Sequence, residues 1–343
     1  MTAWVAWAMA LLFFGQASGP PQQPDLLAGQ ALAAAQQGDG AQAAQLWQQA
    51  LAQNPKHYAS LFNYGVFLHR SGQAKEAVEF LERAATVQPG YQVHLLRGMN
   101  YQQLARREDA IRAWRAALAQ QPQNLKLMQV LSVEYSRGRY FREAGAMARE
   151  ALKIAPNEEA LYLMAIKADQ DAGDTNAAAL LAAEAARRFP QSARAQFEHG
   201  YHLQTKGNAE AAMQHLRKAM ELDARYEEPF FFYGDLLVKQ SQWEAAVTPL
   251  RQALEIRPEY SPARVALARA LMNLEKLGEA VTELEQAAKL DPKNAQPWVM
   301  LSQIYFRMGK EDEARAAKET SLRLRRENPG VLEAAQTRPF PAK

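Results

Sequence analysis

An alanine returns at one phase along almost the whole chain, at Ala43, Ala77, Ala110, Ala144, Ala178, Ala212, Ala246, Ala280 and Ala314, in steps of 34 residues and once 33. Seven residues after each stands a second small side chain, from Ala50, Ala84, Ala117 and Ala151 through Ala185, Ala219, Ala253 and Ala287 to Ser321. Five further on, Pro55, Pro89, Pro122, Pro156, Pro190, Pro258 and Pro292 close the unit. Twelve residues before the phase-setting alanine lies another small residue in most units: Ala31, Gly65, Gly98, Ser132, Gly200, Gly234, Ala268 and Ser302. A period of this length means a stack of copies of one small structural unit.

Small residues at fixed phase let two helices approach closely, where larger ones would hold the axes apart. The unit is therefore a helical hairpin. Gly38, Gly72, Gly138, Gly173, Gly207, Gly278 and Gly309 fall where the first helix must stop, and the terminal proline cannot continue the second. Each hairpin leaves an apolar face bare, so neighbours must stack to cover it. Composition agrees with an all-α chain: alanine and glutamine run throughout, and the β-branched residues are sparse and unpatterned. A net charge of +3 over 343 residues gives no footprint for nucleic acid or an acidic membrane surface.

The units "SLFNYGVFLHRSGQAKEAVEFLERAATVQP" (60–89) and "RVALARALMNLEKLGEAVTELEQAAKLDP" (264–292) resemble the tetratricopeptide repeat family. The resemblance covers about residues 24 to 329. It implies a right-handed superhelical solenoid of about nine helix-turn-helix units, whose first helices line a concave groove that binds proteins or their peptide tails. The pattern frays at its ends, with Gln30 and Ala34 in place of bulky residues and Lys318 at a normally apolar position, as capping units should. Repeat five places Ile166 where others are small, and Ala178 and Ala182 are expected to make room for it. Repeat six has Ala224 instead of the terminal proline. Pro249 lies inside a second helix, where a kink is expected.

The stretch "EEPFFFYGDLL" (227–237) carries more aromatic rings than one helix face can hide. Helical spacing puts Phe230 and Tyr233 against the second helix and Phe232 against a neighbouring repeat, which leaves Phe231 for the groove. The phase of Phe231 recurs at Phe62, Leu95, Leu163, Phe197, Val265 and Val299. One turn on come Val66, Met99, Tyr201 and Arg269, then His69, Val238, Met272 and Phe306. A semi-apolar path results, rimmed by Arg194, Lys239, Arg269 and Arg307 against Glu228 and Asp235. These residues form the candidate partner-binding groove, with repeats six to eight at its centre. No first helix carries the Lys-x3-Asn by which carboxylate-recognising members of the family bind chaperone tails.

No cofactor, metal or catalytic role is expected. His199 and His202 are three apart with His215 in the paired helix, but no acidic third ligand is fixed by spacing. Asp169, Asp171 and Asp174 lack the order of a calcium loop and read as a solvated helix end. No phosphate-cradling glycine loop and no nucleophile elbow occurs.

The absence of cysteine excludes disulfides, zinc thiolate sites, thiol catalysis and a lipidated N-terminal cysteine. The apolar run Trp4 to Phe14, followed by Gly15 and Ala17, reads as a signal peptide over 1–17 or, alternatively, a short membrane anchor. A Pro-rich linker over 18–24, the array over 25–329 and a polar tail over 330–343 complete the expected organisation. The expectation is an exported, periplasmic or secreted, non-enzymatic scaffold for a protein or peptide ligand. The alternative is a regulatory or substrate-presenting subunit of a separate glycosyltransferase or protease.

Overall fold

The computed structural model describes residues 22–328, and every regular element among them is a helix. The expected signal peptide, most of the linker and the 330–343 tail lie outside the described residues. The chain divides into two compact units, 1–174 and 175–343. Unit 1 holds α1 (Gln23–Gln36), α2 (Gly40–Gln53), α3 (Tyr58–Arg70), α4 (Ala74–Val87), α5 (Tyr91–Gln103), α6 (Arg107–Gln120), α7 (Leu125–Arg137), α8 (Phe141–Ile154) and α9 (Glu159–Asp171). Unit 2 holds α10 (Thr175–Arg188), α11 (Ala193–Thr205), α12 (Ala209–Leu222), α13 (Glu227–Lys239), α14 (Trp243–Ile256), α15 (Ser261–Asn273), α16 (Leu277–Leu290), α17 (Gln296–Arg307) and α18 (Glu311–Glu327). In both, consecutive helices pack as antiparallel neighbours and first helices also touch first helices one repeat on, which is the packing of a helix-pair solenoid.

The first helix of the array starts two residues before the expected linker boundary. Pro24 sits at its N-terminus, where a missing N–H costs nothing, and the Asp25 carboxylate accepts from the Gln22 N–H. The periodic alanines are the points of closest approach: all of Ala43, Ala77, Ala110, Ala144, Ala212, Ala246 and Ala280 are inaccessible to solvent. Their partners are the small residues of the first helices. A Cβ on Gly65 would lie 2.8 Å from Leu81 Cγ, and one on Gly234 2.6 Å from Leu250 Cγ. Ile166 is fully buried in unit 1, as Ala178 and Ala182 are in unit 2.

The turn between the paired helices differs from its expected form. At nine positions at one phase the backbone is left-handed, and only five are glycine: Gly38, Gly72, Gly173, Gly207 and Gly309. The others are Ala105 (φ 56°), Arg139 (φ 64°), Ser241 (φ 60°) and Glu275 (φ 60°). Gly138 stands where α7 stops, as expected, but as its C-cap with φ −80° rather than as the left-handed residue, and Gly278 lies in the first turn of α16, a correction to the sequence reading. Each left-handed residue completes a Schellman motif. The following N–H reaches back to the carbonyl five residues earlier, as in Asp39→Ala34 (2.9 Å), Arg106→Tyr101 (2.9 Å) and Tyr140→Tyr135 (2.8 Å). The motif recurs in every repeat, so packing imposes this conformation even where the side chain disfavours it. Ala105→Gly is therefore expected to stabilise unit 1 by roughly 0.5–1 kcal/mol, read from the midpoint of urea unfolding. No gain would show that the alanine is unstrained.

Two irregular units keep the pattern by other means. With Ala224 in place of proline, the Asp223 carboxylate accepts from the Arg225 N–H (2.9 Å) and closes the turn as Asn54 does for Lys56 (3.0 Å). Helix α14 runs through the buried Pro249 to Ile256.

Candidate functional site

The aromatic stretch on α13 lies at the centre of the largest apolar cluster of unit 2. Phe230 packs inward, and Tyr233 is half-buried with its hydroxyl 3.3 Å from Arg217 Nη2. Phe232 meets Phe197 (5.5 Å between centroids) and Tyr201 (5.3 Å) of α11. Phe231 is the correction. It is 7% exposed, because its ring packs edge-on against Phe232 (4.9 Å) and tilted against Tyr260 (4.9 Å), the N-cap of α15. Phe231 therefore joins two first helices and is covered in the free protein.

The same holds for five other groove candidates, whereas Leu95, Leu163 and Val299 at the phase of Phe231 are half-buried. Phe62 and Val66 in unit 1, and Phe197, Val238 and Val265 in unit 2, are all buried where first helices pack side by side. These six expected groove contacts are seams between repeats, because a first helix needs apolar contact with the next first helix as well as with its own partner. His69 is half-buried in unit 1 with Nδ1 3.0 Å from Asn100 Oδ1, another link between first helices.

The remaining candidates lie in unit 2 and stay accessible. Phe306 is 72% exposed, Arg194 and Lys239 are exposed, and Tyr201, Asp235, Arg269 and Met272 are half-buried. Two of the four cations of the expected rim are neutralised. Lys239 Nζ lies 2.7 Å from Asp235 Oδ2, and Arg307 is held by Glu275 while donating to the Met272 carbonyl (3.2 Å). Arg194 and Arg269 carry no ion pair among the described residues. The signal that sequence reading missed is Glu275, which stands near one full repeat before its partner Arg307. What these side chains can do is bind: they combine an apolar surface with two free guanidinium groups.

Models described as tetratricopeptide repeat match residues 29–91 and 163–227, and also 237–286 and 274–335, together more than half the chain. This chain belongs to the tetratricopeptide repeat family. None of the curated proteins matches it significantly. Among solved structures it is similar to PilW, described as a widely conserved type IV pilus biogenesis factor, at 25% identity over 60% of this chain and 94% of that one, with a TM-score of 0.52. It is also similar to Pseudomonas aeruginosa pilF (19% identity, 61% and 94% covered, TM-score 0.52). A third similar structure is that of the APC/C hetero-tetramer Cut9-Hcn1 (14% identity, 82% of this chain and 56% of that one, TM-score 0.54). Family members are generally protein-binding scaffolds rather than catalysts. No helix among the described residues is long and apolar enough to cross a membrane.

The tetratricopeptide array contains one histidine cluster, and no group of three or more potential metal ligands converges among the described residues. His199 on α11 meets His215 on α12 edge to face at 4.4 Å, while His215 Nδ1 lies 2.8 Å from Gln196 Oε1. His199 Nδ1 is buried with no hydrogen-bond partner. Burial, then the neighbouring His215 and His202, pushes its pKa down to about 4. The unfolded chain therefore binds a proton that the folded chain refuses between pH about 6.5 and about 4. Stability falls as pH falls through that window. For a half-exposed ring screened by water the loss is about 1 kcal/mol. His199→Leu should flatten this part of the stability–pH curve measured by urea unfolding, and an unchanged slope would assign the acid sensitivity to other groups.

The acidic cluster is also corrected. Asp169 is 3% exposed and accepts two bonds from Arg149 Nη1, at 2.5 and 2.7 Å, and Asp171 pairs with Lys167 (2.6 Å). The helix end is an ion-pair site inside unit 1 and is not solvated at Asp169.

Proposed function

We propose that this chain is an exported scaffold of the cell envelope that holds a protein or peptide partner on the first-helix face of its repeats. The observation that carries the reading is Phe306. It is a large ring 72% exposed at the end of α17, on the same repeat phase as Met272 of the adjacent α15, while the remaining apolar residues of α17 are buried or half-buried. An exposed aromatic beside a half-buried methionine on a rigid helical array has the character of a partner contact. The apolar leader-like run from Trp4 to Phe14 supports export, and the likeness to a type IV pilus biogenesis factor supports a setting in envelope assembly.

The test is crosslinking and mass spectrometry of partners captured in the native envelope, comparing the unaltered chain with a Tyr201→Glu, Phe306→Glu variant that keeps its helical circular dichroism. Phe306 is exposed, whereas Tyr201 is half-buried against Phe232, so unchanged helicity is required of the variant before capture is compared. Loss of one captured partner in the variant is the expected result. Unchanged capture would move the interaction to another face.

A further inference from the structure

We infer that the first-helix face of α15 and α17 in unit 2 recognises an acidic segment of the partner, one that sets a carboxylate beside a bulky apolar side chain. The inference rests on the scaffold reading above and adds the chemistry of the ligand.

The argument begins with charges that are already satisfied. On the accessible face of unit 2, Lys239 is neutralised by Asp235 and Arg307 by Glu275, and Glu228 is engaged in an interaction of its own. Arg264 on α15 is paired as well, with Glu283 of α16 at 2.5 Å. Among the arginines of α15 and α17, Arg269 is the exception: it is half-buried and meets no carboxylate, and its backbone carbonyl accepts from Asn273 Nδ2 at 2.8 Å. A partly desolvated guanidinium without a counter-ion favours an anionic ligand, and its planar donors suit a carboxylate.

The second half of the inference is apolar. Met272 lies one turn beyond Arg269 on the same helix face. Phe306 occupies the matching position of α17, which packs on α15, and the Arg307 bond to the Met272 carbonyl fastens the two helix ends together. A cation and an apolar platform are thus held about one helical turn, roughly 5 Å, apart. That spacing suits adjacent or next-adjacent side chains of an extended peptide, whose residues advance about 3.3 Å each. A basic segment would meet Arg269 without compensation.

The experiment uses the full chain and short fluorescein-labelled peptides of alternating leucine with glutamate, glutamine or lysine, followed by fluorescence anisotropy at about 50 and 500 mM salt. The glutamate peptide should bind at least about tenfold tighter than the lysine peptide, with the difference shrinking at high salt. R269A should lose about fivefold in affinity for the glutamate peptide, R269K should recover part of it, and F306A should weaken the glutamate and glutamine peptides equally. Equal binding of the three peptides, or an R269A titration that overlays the unaltered chain, overturns the inference. So does a self-associated chain in sedimentation that dissociates on R269A or F306A, because a second copy would then be the occupant. If the native partner is still captured through Tyr201 and Phe306 while the glutamate peptide fails to bind, the acidic preference falls and the scaffold reading stands. If neither binds, both fall.

Discussion

Gly98→Ala is expected to destabilise unit 1 by about 2 kcal/mol, although alanine is the better helix former by about 1 kcal/mol. The added methyl would lie 2.2 Å from Trp114 Nε1 and 2.3 Å from Cδ1. Trp114 is 1% exposed and its ring is rigid, so relief requires α5 and α6 to move apart. At the sister position Gly200 an added Cβ would lie 3.1–3.3 Å from Leu216 and 3.2 Å from the Ala212 carbonyl oxygen, so the helices need give only by a few tenths of an ångström, and Gly200→Ala should cost about 0.5 kcal/mol, well under the Gly98→Ala loss. Trp114→Leu restores the leucine that meets this glycine in other repeats and removes a buried indole N–H without a partner. In a double-mutant cycle it should recover about half of the Gly98→Ala loss. Additive losses would show that the two side chains do not limit the approach of the helices.

The same contact shows why the fold was legible. A 34-residue recurrence of small residues records a distance constraint between two helix axes, and that constraint acts on side-chain volume, which a sequence displays directly. The Schellman turns were only half legible. Five of the nine left-handed positions are glycine, but Ala105, Arg139, Ser241 and Glu275 carry no such mark, and Gly138 and Gly278 lie nearby without serving the role. Phase alone would have found them. The rule missed was that an array imposes one turn geometry on every copy, whatever residue stands there.

The binding face was less legible, because helical periodicity separates the stripe facing the second helix from the rest but does not divide that remainder. Phe62, Phe197 and Phe231 fall on the same phase as a groove residue would, and neighbouring first helices close over them. Phe306 has the same aromatic character and stays exposed. What covers the three phenylalanines is contact between first helices of neighbouring repeats, which the periodicity of a single helix does not show. Charge pairing was hidden for a similar reason: Arg307 and Glu275 are 32 residues apart and meet only because successive repeats lie side by side.

Removing one arginine in unit 1 should cost as much as the steric clash at Gly98. Asp169 of α9 is 3% exposed and occupies a phase held by Tyr101 and Tyr135 in earlier repeats, so its carboxylate stands where an apolar ring is usual. Arg149 of α8 satisfies it through two short contacts from one nitrogen, and Gly145 leaves room, since a Cβ there would lie 2.6 Å from Asp169 Oδ1. Arg149→Ala strands a buried carboxylate, a change that costs roughly 3–5 kcal/mol for a fully buried pair. The Arg149 side chain is 42% exposed and partly screened by water, which brings the expected loss to about 2–3 kcal/mol. Asp169→Leu combined with Arg149→Met replaces the pair by apolar groups and should return stability to within about 1 kcal/mol of the unaltered chain. Urea unfolding of the three proteins decides the matter. A single Arg149→Ala variant as stable as the unaltered chain would mean that water reaches Asp169, and the ion pair would then be a surface contact with no part in holding α8 against α9.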